Sequence, residues 1–307
     1  MKYINNRIKM KKKIILLFFF LTYCLTNFAQ QDLLLSQQFF SRINKNPAGT
    51  GNSEDIDLFL LGRMQWIGVD NAPRTCLLNA TSYFEKIKSG VGLSLTYDKI
   101  GVGHSTTNAK AVYAYQIDLN ENYILSMGLS AGANFGYFDP WANDLRDEEE
   151  FGSGTFPEDK ETKITPDFDL GFELTSFHWL FGVSSTHITN NTSTTFESGR
   201  HYYAYARGFF PLSGHLDLAP AVVYMHRNKT DVMELSVMGF YNRLIWGGVT
   251  WRPDLHQSTN PSMMVFTLGL EWEKFRFGYS YDLNLGDRNH LPSNTHEILL
   301  SVRFGKK

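Results

Sequence analysis

The sequence predicts an all-β fold, a transmembrane outer-membrane β-barrel of about fourteen antiparallel strands preceded by a cleaved signal peptide. Three observations predict the barrel. Apolar residues alternate with small or polar residues along most of the chain, short and long connections alternate between these segments, and the last segment ends on an aromatic residue. The segments have about the 9–11 residues that a tilted strand needs to cross a bilayer.

The alternation has the period of two that places successive side chains on opposite faces of a strand. In GVGLSLTYD, for example, Val91, Leu93, Leu95 and Tyr97 fall on one face, and small or hydroxyl residues fall on the other. The predicted strands are 56–66, 75–84, 90–99, 107–118, 123–136, 166–175, 177–187, 200–211, 215–226, 231–241, 243–252, 262–272, 274–282 and 296–304.

The connections separate a membrane barrel from a soluble β-sandwich. Short connections are predicted at 85–89, 120–122, 212–214 and around Ser176, Asn242 and Glu273, and longer ones at 67–74, 100–106, 137–165, 188–199, 227–230, 253–261 and 283–295. Membrane barrels place short turns on the periplasmic side and longer loops outside. A sandwich also alternates along its strands but has no reason to sort its loops by length.

The N-terminus has the layout of a secretory signal peptide. A cluster of Lys and Arg precedes an apolar run from Ile14 to Leu21, and cleavage is expected after Ala29. The run is too short for a membrane anchor, and bulky Tyr23 disfavours a lipoprotein site at Cys24. The predicted organisation is a signal peptide (1–29), a polar segment that either enters the lumen or stays periplasmic (30–55), the barrel (56–304) and a short tail (305–307).

Composition argues against several other classes. The net charge of −2 gives no reason to expect a nucleic-acid partner. The nine histidines show no zinc-ligand spacing, so no metal site is expected. No cofactor is expected either. Ser130 lies in a G-x-S-x-G pattern, but that motif needs a strand-to-helix turn, and here it lies within an alternating strand.

Charged residues on the predicted inner faces have two alternative roles, pairing across the barrel or lining a wet channel. They are Asp167, Asp169, Glu173, Arg276, Asp282 and Arg303. An acidic stretch in the longest connection is a candidate extracellular loop, either solvated, calcium-binding or a surface for a partner. Its acidic residues are Asp144, Asp147, Glu148, Glu149 and Glu150.

The last strand, HEILLSVRF, is apolar on one face and charged on the other. The apolar face suits lipid, and this strand would remove the last unpaired sheet edge by closing the barrel. Phe304 at its end resembles the C-terminal assembly signal of outer-membrane barrels.

An ordered set of motifs resembles the PorP/SprF family of the Bacteroidota type IX secretion system over essentially the whole mature chain. The matching residues are Asn46, Pro47, Ala48 and Gly49; Arg63, Gln65, Trp66 and Gly68; Ala72, Pro73 and Thr75; and Asp98 with Gly101. Trp66 is interpreted either as a residue of the membrane-interface belt or as part of a fixed loop at the barrel mouth.

The resemblance implies a non-catalytic barrel that assists export or surface anchoring of a partner protein. The implied partners are a large adhesin-like surface protein with a type IX C-terminal domain and other secretion components, with outer-membrane lipid around the barrel. Two alternatives from other classes are a solute or hydrophobic-compound channel with an N-terminal plug, and an outer-membrane hydrolase, for which no Ser-His-acid set is evident.

Overall fold

A computed structural model of the chain describes residues 35–51, 55–140, 159–189, 191–192, 196–228, 230–253, 255, 262–285 and 294–305. The predicted signal peptide and the acidic residues Asp144, Asp147, Glu148, Glu149 and Glu150 lie outside these ranges. Among the residues that are described, no helix is both long and apolar enough to cross a membrane.

Fourteen long strands within the described ranges form one closed antiparallel sheet, which confirms the predicted fold class. They are β1 (Ile56–Met64), β2 (Arg74–Phe84), β3 (Ser89–Ile100), β4 (His104–Asn120), β5 (Tyr123–Phe138), β6 (Glu161–Ser176), β7 (Trp179–Thr186), β10 (His201–Gly208), β12 (Leu216–Arg227), β13 (Thr230–Tyr241), β14 (Ile245–Arg252), β15 (Met263–Trp272), β16 (Phe275–Asn284) and β17 (Thr295–Phe304).

The first and last strands close the barrel. Residues of β1 pair with β17 from Ile56 opposite Phe304 to Met64 opposite His296, and each remaining long strand pairs with its sequence neighbours. Closure leaves no unpaired edge in the wall, which a hydrocarbon environment requires.

Three short strands among the described residues are additional to these fourteen. The pair β8 (Asn191–Thr192) and β9 (Glu197–Ser198) forms a small ribbon in the predicted 188–199 connection. Strand β11 (Phe210–Pro211) pairs with the start of β12. The described part of the chain also contains two 3-10 turns, Pro47–Gly49 before the barrel and Glu85–Ile87 between β2 and β3.

The predicted division of faces is confirmed along the wall. Outward-facing Leu93, Leu129, Ile164 and Ile298 are 53–63% exposed, whereas Glu297, Leu299 and Ser301 on the other face of the last strand are at most 1% exposed. The outer surface is therefore an apolar band of the kind that faces lipid, and the inner face is buried.

The predicted connection lengths are correct at one rim and partly wrong at the other. The turns at 121–122, 177–178, 242–244 and 273–274 lie at the rim where the chain enters β1 and leaves β17, which we call the inner rim. At the opposite, outer rim, β3 and β4 are joined by three residues, 101–103, and β12 and β13 by two, 228–229. Strands β5 and β6 also extend to Phe138 and from Glu161, so the predicted 137–165 connection is shorter than expected.

Candidate functional site

Residues 35–51, which we call the lumen segment, lie inside the barrel. Leu35 is 3% exposed and joins an apolar cluster with Phe59, Leu61 and Trp246 of the wall. The ring of Phe40 lies 4.4 Å from that of Trp246. This apolar packing gives the barrel a true core, because wall and segment bury side chains against each other.

Asn46 begins the 3-10 turn formed by Pro47, Ala48 and Gly49. Its side-chain oxygen accepts a hydrogen bond from Ala48 N at 2.9 Å, as an N-cap residue does. Its amide nitrogen donates to the Phe172 carbonyl at 3.0 Å on β6. Asn46 is fully buried, so one side chain both caps the turn and binds it to the wall.

Glycines on the inner face of the wall allow the turn to approach this closely. A Cβ at Gly128 of β5 would lie 2.1 Å from Ala48 N, and a Cβ at Gly171 of β6 would lie 2.0 Å from Asn46 Oδ1. Gly90 of β3 likewise faces the Thr50 backbone, with a distance of 2.3 Å from the added Cβ. Only a residue without a side chain fits at such positions.

A buried ion pair joins the segment to β6. Arg42 donates from Nε to Glu173 Oε2 at 3.0 Å and from Nη2 to Glu173 Oε1 at 2.7 Å. The Tyr205 hydroxyl of β10 donates to the same carboxylate at 2.6 Å. The bidentate geometry is the strong form of this contact, and it fixes the segment to two wall strands.

A second polar cluster holds the beginning of the segment. Glu297 accepts hydrogen bonds from Ser36 N at 2.9 Å and Gln37 N at 2.6 Å. Arg63 contacts both Glu297 at 3.1 Å and Asp282 at 2.7 Å, and Arg252 lies 3.4 Å from Asp282. Arg63, one of the family motif residues, therefore faces the lumen and supports the carboxylates that bind the segment.

A third cluster lies on the inner faces of β4, β5 and β6. Lys110 Nζ is 2.9 Å from Asp167 and 2.8 Å from Asp169. Ser130 of the G-x-S-x-G pattern donates to Asp169 at 2.5 Å and is buried. Ser130 is thus a hydrogen-bonding group of the wall, as its position within an alternating strand predicts.

The predicted alternatives for the inner charges resolve into pairing. Glu173 pairs with the lumen segment, Asp167 and Asp169 pair with Lys110, and Asp282 pairs with Arg63. Two other pairs lie near the inner rim: Arg276 is 2.7 Å from Glu271, and Arg303 is 3.6 Å from Asp57. Two of these pairs, Arg276–Glu271 and Arg303–Asp57, join adjacent strands, whereas Lys110 and Arg63 each reach across one intervening strand.

The outer loop between β1 and β2, residues 65–73, is hydrogen-bonded to the residue that precedes β17 at the outer rim. Ile67 N donates to the Asn294 carbonyl at 2.8 Å, and Asn294 Nδ2 donates back to the Ile67 carbonyl at 2.9 Å. Within the loop, Gln65 N donates to the Pro73 carbonyl at 3.0 Å.

Other motif residues of this loop have distinct positions. Trp66 is half-buried, with a positive φ of 49°, and its N donates to Thr295 Oγ1 at 3.4 Å. Gly68 is exposed with a φ of 102°, whereas Ala72 is half-buried and Pro73 buried. The exposed side chains Ile67 and Val69 stand at the tip, at 42% and 44% exposure.

Two further motif residues support the neighbouring strands. Thr75 of β2 donates to Asp98 of β3 at 2.5 Å. Gly101 has a φ of 62°, which the three-residue turn after β3 requires. The ends of the long acidic connection are bridged by Lys160 and Asp139 at 2.8 Å, a hydrogen bond that raises the pKa of Lys160.

Sequence reasoning did not identify Ser36, Arg42 or Tyr205 as part of the site. Each acts through a contact across more than thirty positions of the chain, up to 261 positions between Ser36 and Glu297. Inner-face glycines such as Gly128 and Gly171 are the sequence signal for this contact, since they alternate along their strands with outward-facing apolar residues and leave room at the inner face.

The fold is that of other outer-membrane barrels. The Ralstonia pickettii toluene transporter TbuX is 12% identical with a TM-score of 0.52, over 86% of this chain and 93% of that one. The monoaromatic hydrocarbon channel CymD is 13% identical with a TM-score of 0.50, over 90% and 94%. A FadL homologue of Pseudomonas aeruginosa is 10% identical with a TM-score of 0.50, over 84% and 91%. At these identities the likeness concerns the fold alone.

No curated protein matches the sequence. The family described as type IX secretion system membrane protein PorP/SprF matches residues 27–302, nearly the whole chain. The motifs in the lumen segment and the outer loop lie within that match, and the closed barrel agrees with an outer-membrane location. The chain therefore belongs to the PorP/SprF family and is an outer-membrane component of the type IX secretion system.

Proposed function

We propose that this barrel assists export and surface anchoring of a secreted partner, an adhesin-like protein with a type IX C-terminal domain, and that it does so by binding rather than by catalysis. The main observation in support of this proposal is that the lumen segment occupies the barrel interior. Residues 35–51 are bonded to β6, β10, β16 and β17 by buried and half-buried side chains, so partner recognition falls to the rims and loops.

The outer loop 65–73 is the surface that we favour for the partner. Its backbone is fixed by Asn294, while Ile67 and Val69 remain exposed. A rigid loop with exposed apolar side chains binds at a lower entropic cost than a mobile one. The acidic connection with Asp144, Asp147, Glu148, Glu149 and Glu150 is the second candidate surface. It is charged, whereas the exposed tip of the loop 65–73 is apolar.

The proposal is tested by purification of the full chain from its native outer membrane, with mass spectrometry of what accompanies it. We expect one large surface protein, lost when Ile67 and Val69 are both changed to Ser and retained when exposed inner-rim Leu212 and Leu244 are changed to Ser. Recovery of the same partner with both double variants would refute the role of the loop. A barrel recovered without any protein partner would refute anchoring.

One observation favours a second function, a channel for hydrophobic compounds with an N-terminal plug. A cavity of about 370 Å³ near the inner rim is lined by Phe39, Phe40, Phe59 and Phe240 together with charged residues such as Arg207, Glu271 and Arg276. The toluene transporter and the hydrocarbon channel named above share the fold. Uptake of a labelled aromatic hydrocarbon by cells with and without this chain separates the two functions. Equal uptake contradicts the channel.

A further inference from the structure

Most basic side chains that face the lumen have an acidic partner within 4.0 Å among the described residues. They are Arg42, Arg63, Lys110, Arg252 and Arg276. Lys45 of the lumen segment and Arg207 of β10 have no acidic partner within 4.0 Å among the residues that the structure describes. Both line the same cavity.

Lys45 is 7% exposed, and its Nζ lies 5.4 Å from the centre of the Tyr205 ring. Arg207 donates from Nη1 to the Phe39 carbonyl at 3.0 Å, and its guanidinium carbon lies 4.4 Å from the Phe39 ring. Neither a ring face nor a carbonyl neutralises a cation. A cation removed from water without a counter-charge is destabilising, because it loses hydration and gains no ion pair in return.

The carboxylates near this cavity are already engaged. Glu173 is bonded to Arg42 and Tyr205. Glu234 also lines the cavity, but its Oε1 is 2.7 Å from Arg252 Nε. The three cations at the cavity, Arg42, Lys45 and Arg207, therefore exceed the charge that these carboxylates supply there.

The cavity has a volume of about 50 Å³. One water needs roughly 10–15 Å³ by the same measure, so there is room for a small ion. Ser236 and Thr250 also line it, and their hydroxyl groups add hydrogen-bond donors to the guanidinium and ammonium groups. Guanidinium donors in a planar fork match the geometry of an oxyanion.

We propose that a small inorganic oxyanion of the phosphate or sulfate class binds in this cavity, between Lys45 of the lumen segment and Arg207 of the barrel wall. Because one cation belongs to the segment and the other to the wall, the bound anion is a removable link between them. Occupancy would strengthen the packing of the segment in the lumen by mass action.

The test measures binding of inorganic phosphate to the full mature chain in detergent by calorimetry, with ionic strength held constant by gluconate, which is too large for the cavity. We expect one saturable site, competed by sulfate and more weakly by chloride. Lys45→Met should weaken phosphate binding about tenfold or more, and Arg207→Met should do the same. Lys86→Met, which alters an exposed lysine of the turn between β2 and β3, should leave it unchanged.

A shift in gel migration between unboiled and boiled samples checks that each variant is a folded barrel. Either pocket variant suffices if the other does not fold. The absence of saturable binding by the wild-type chain at millimolar phosphate would overturn the proposal. Equal phosphate affinity of Lys45→Met, Arg207→Met and Lys86→Met would show that the anion does not bind between Lys45 and Arg207. Equal affinity of the wild-type chain for chloride and phosphate would refute the preference for an oxyanion.

Discussion

Arg42 of the lumen segment and Glu173 of β6 form a bidentate ion pair, with Nη2 to Oε1 at 2.7 Å and Nε to Oε2 at 3.0 Å. The Glu173 side chain is 2% exposed and that of Arg42 10%. The two residues are 131 positions apart in the chain, so the pair forms only when the segment occupies the lumen.

Arg42→Met should release the lumen segment, because it leaves the Glu173 carboxylate buried without its partner. Removal of one member of a buried pair costs about 3–5 kcal/mol. A Gln38→Cys probe in the half-buried part of the segment, in a Cys76→Ser background, should react faster with a water-soluble maleimide in this variant. Lys88→Met removes the exposed pair with Asp118 and should leave the rate unchanged; equal rates in all three proteins contradict the prediction.

Gly128→Ala should displace the 3-10 turn, since the added Cβ would lie 2.1 Å from Ala48 N. The matched control is Gly239→Ala on β13, where the nearest atom would be 3.7 Å away. The Gln38→Cys probe should become more reactive with Gly128→Ala only. Equal reactivity of the probe in both variants would show that the turn does not depend on this close approach.

Asn46→Ala should weaken docking of the segment by about 1–3 kcal/mol, because the variant leaves the Ala48 N–H without its cap and the Phe172 carbonyl without its donor. Denaturant titration of the tryptophan fluorescence, to which Trp246 beside Phe40 of the segment contributes, measures the change. Asn122→Ala alters an exposed residue of an inner-rim turn and serves as the control. A shift of the same size in both variants would refute the role of Asn46.

Asn294→Ala should reduce recovery of the proposed surface partner while the barrel stays folded. Both hydrogen bonds to Ile67 involve Asn294, and the variant removes the one donated by its side chain. We expect severalfold less partner in the purified complex, measured by quantitative mass spectrometry, and unchanged recovery with Asn122→Ala. Undiminished recovery with Asn294→Ala would show that this restraint on the loop is not needed for binding.

Phe304→Ala should lower the amount of barrel assembled in the outer membrane, as the predicted assembly signal requires. Phe304 is 43% exposed on the outer face and lies opposite Ile56, at the seam where the barrel closes. The folded fraction on unboiled gels measures assembly, and Phe277→Ala, also outward-facing at 41% exposure, is the control. An equal folded fraction in both variants would refute a special role for the last residue of the strand.

The strands were predictable from the sequence because their period is local. Val91, Leu93 and Leu95 define an outward face without reference to any other part of the chain. Turn lengths at the outer rim were less predictable: Gly101 and Asn228 reverse the chain with positive φ angles, so strands continue where polar composition suggested longer loops.

The contents of the lumen were not predictable in the same way. A polar segment with Ser36, Arg42 and Lys45 has the composition of a solvated linker, and nothing within 30–55 distinguishes lumen from periplasm. The distinction depends on partners far along the chain, such as Glu173 and Glu297. Gly128 and Gly171 leave room at the inner face for a close approach, but a glycine does not specify which segment makes it.

The occupied lumen is tested most simply by the conductance of the purified mature chain in planar lipid bilayers. The lumen segment should keep the wild-type barrel closed, so we predict no stable conductance steps, with steps appearing in the Arg42→Met variant. Persistent open steps from the wild-type chain would contradict the occupied lumen on which the proposed function depends.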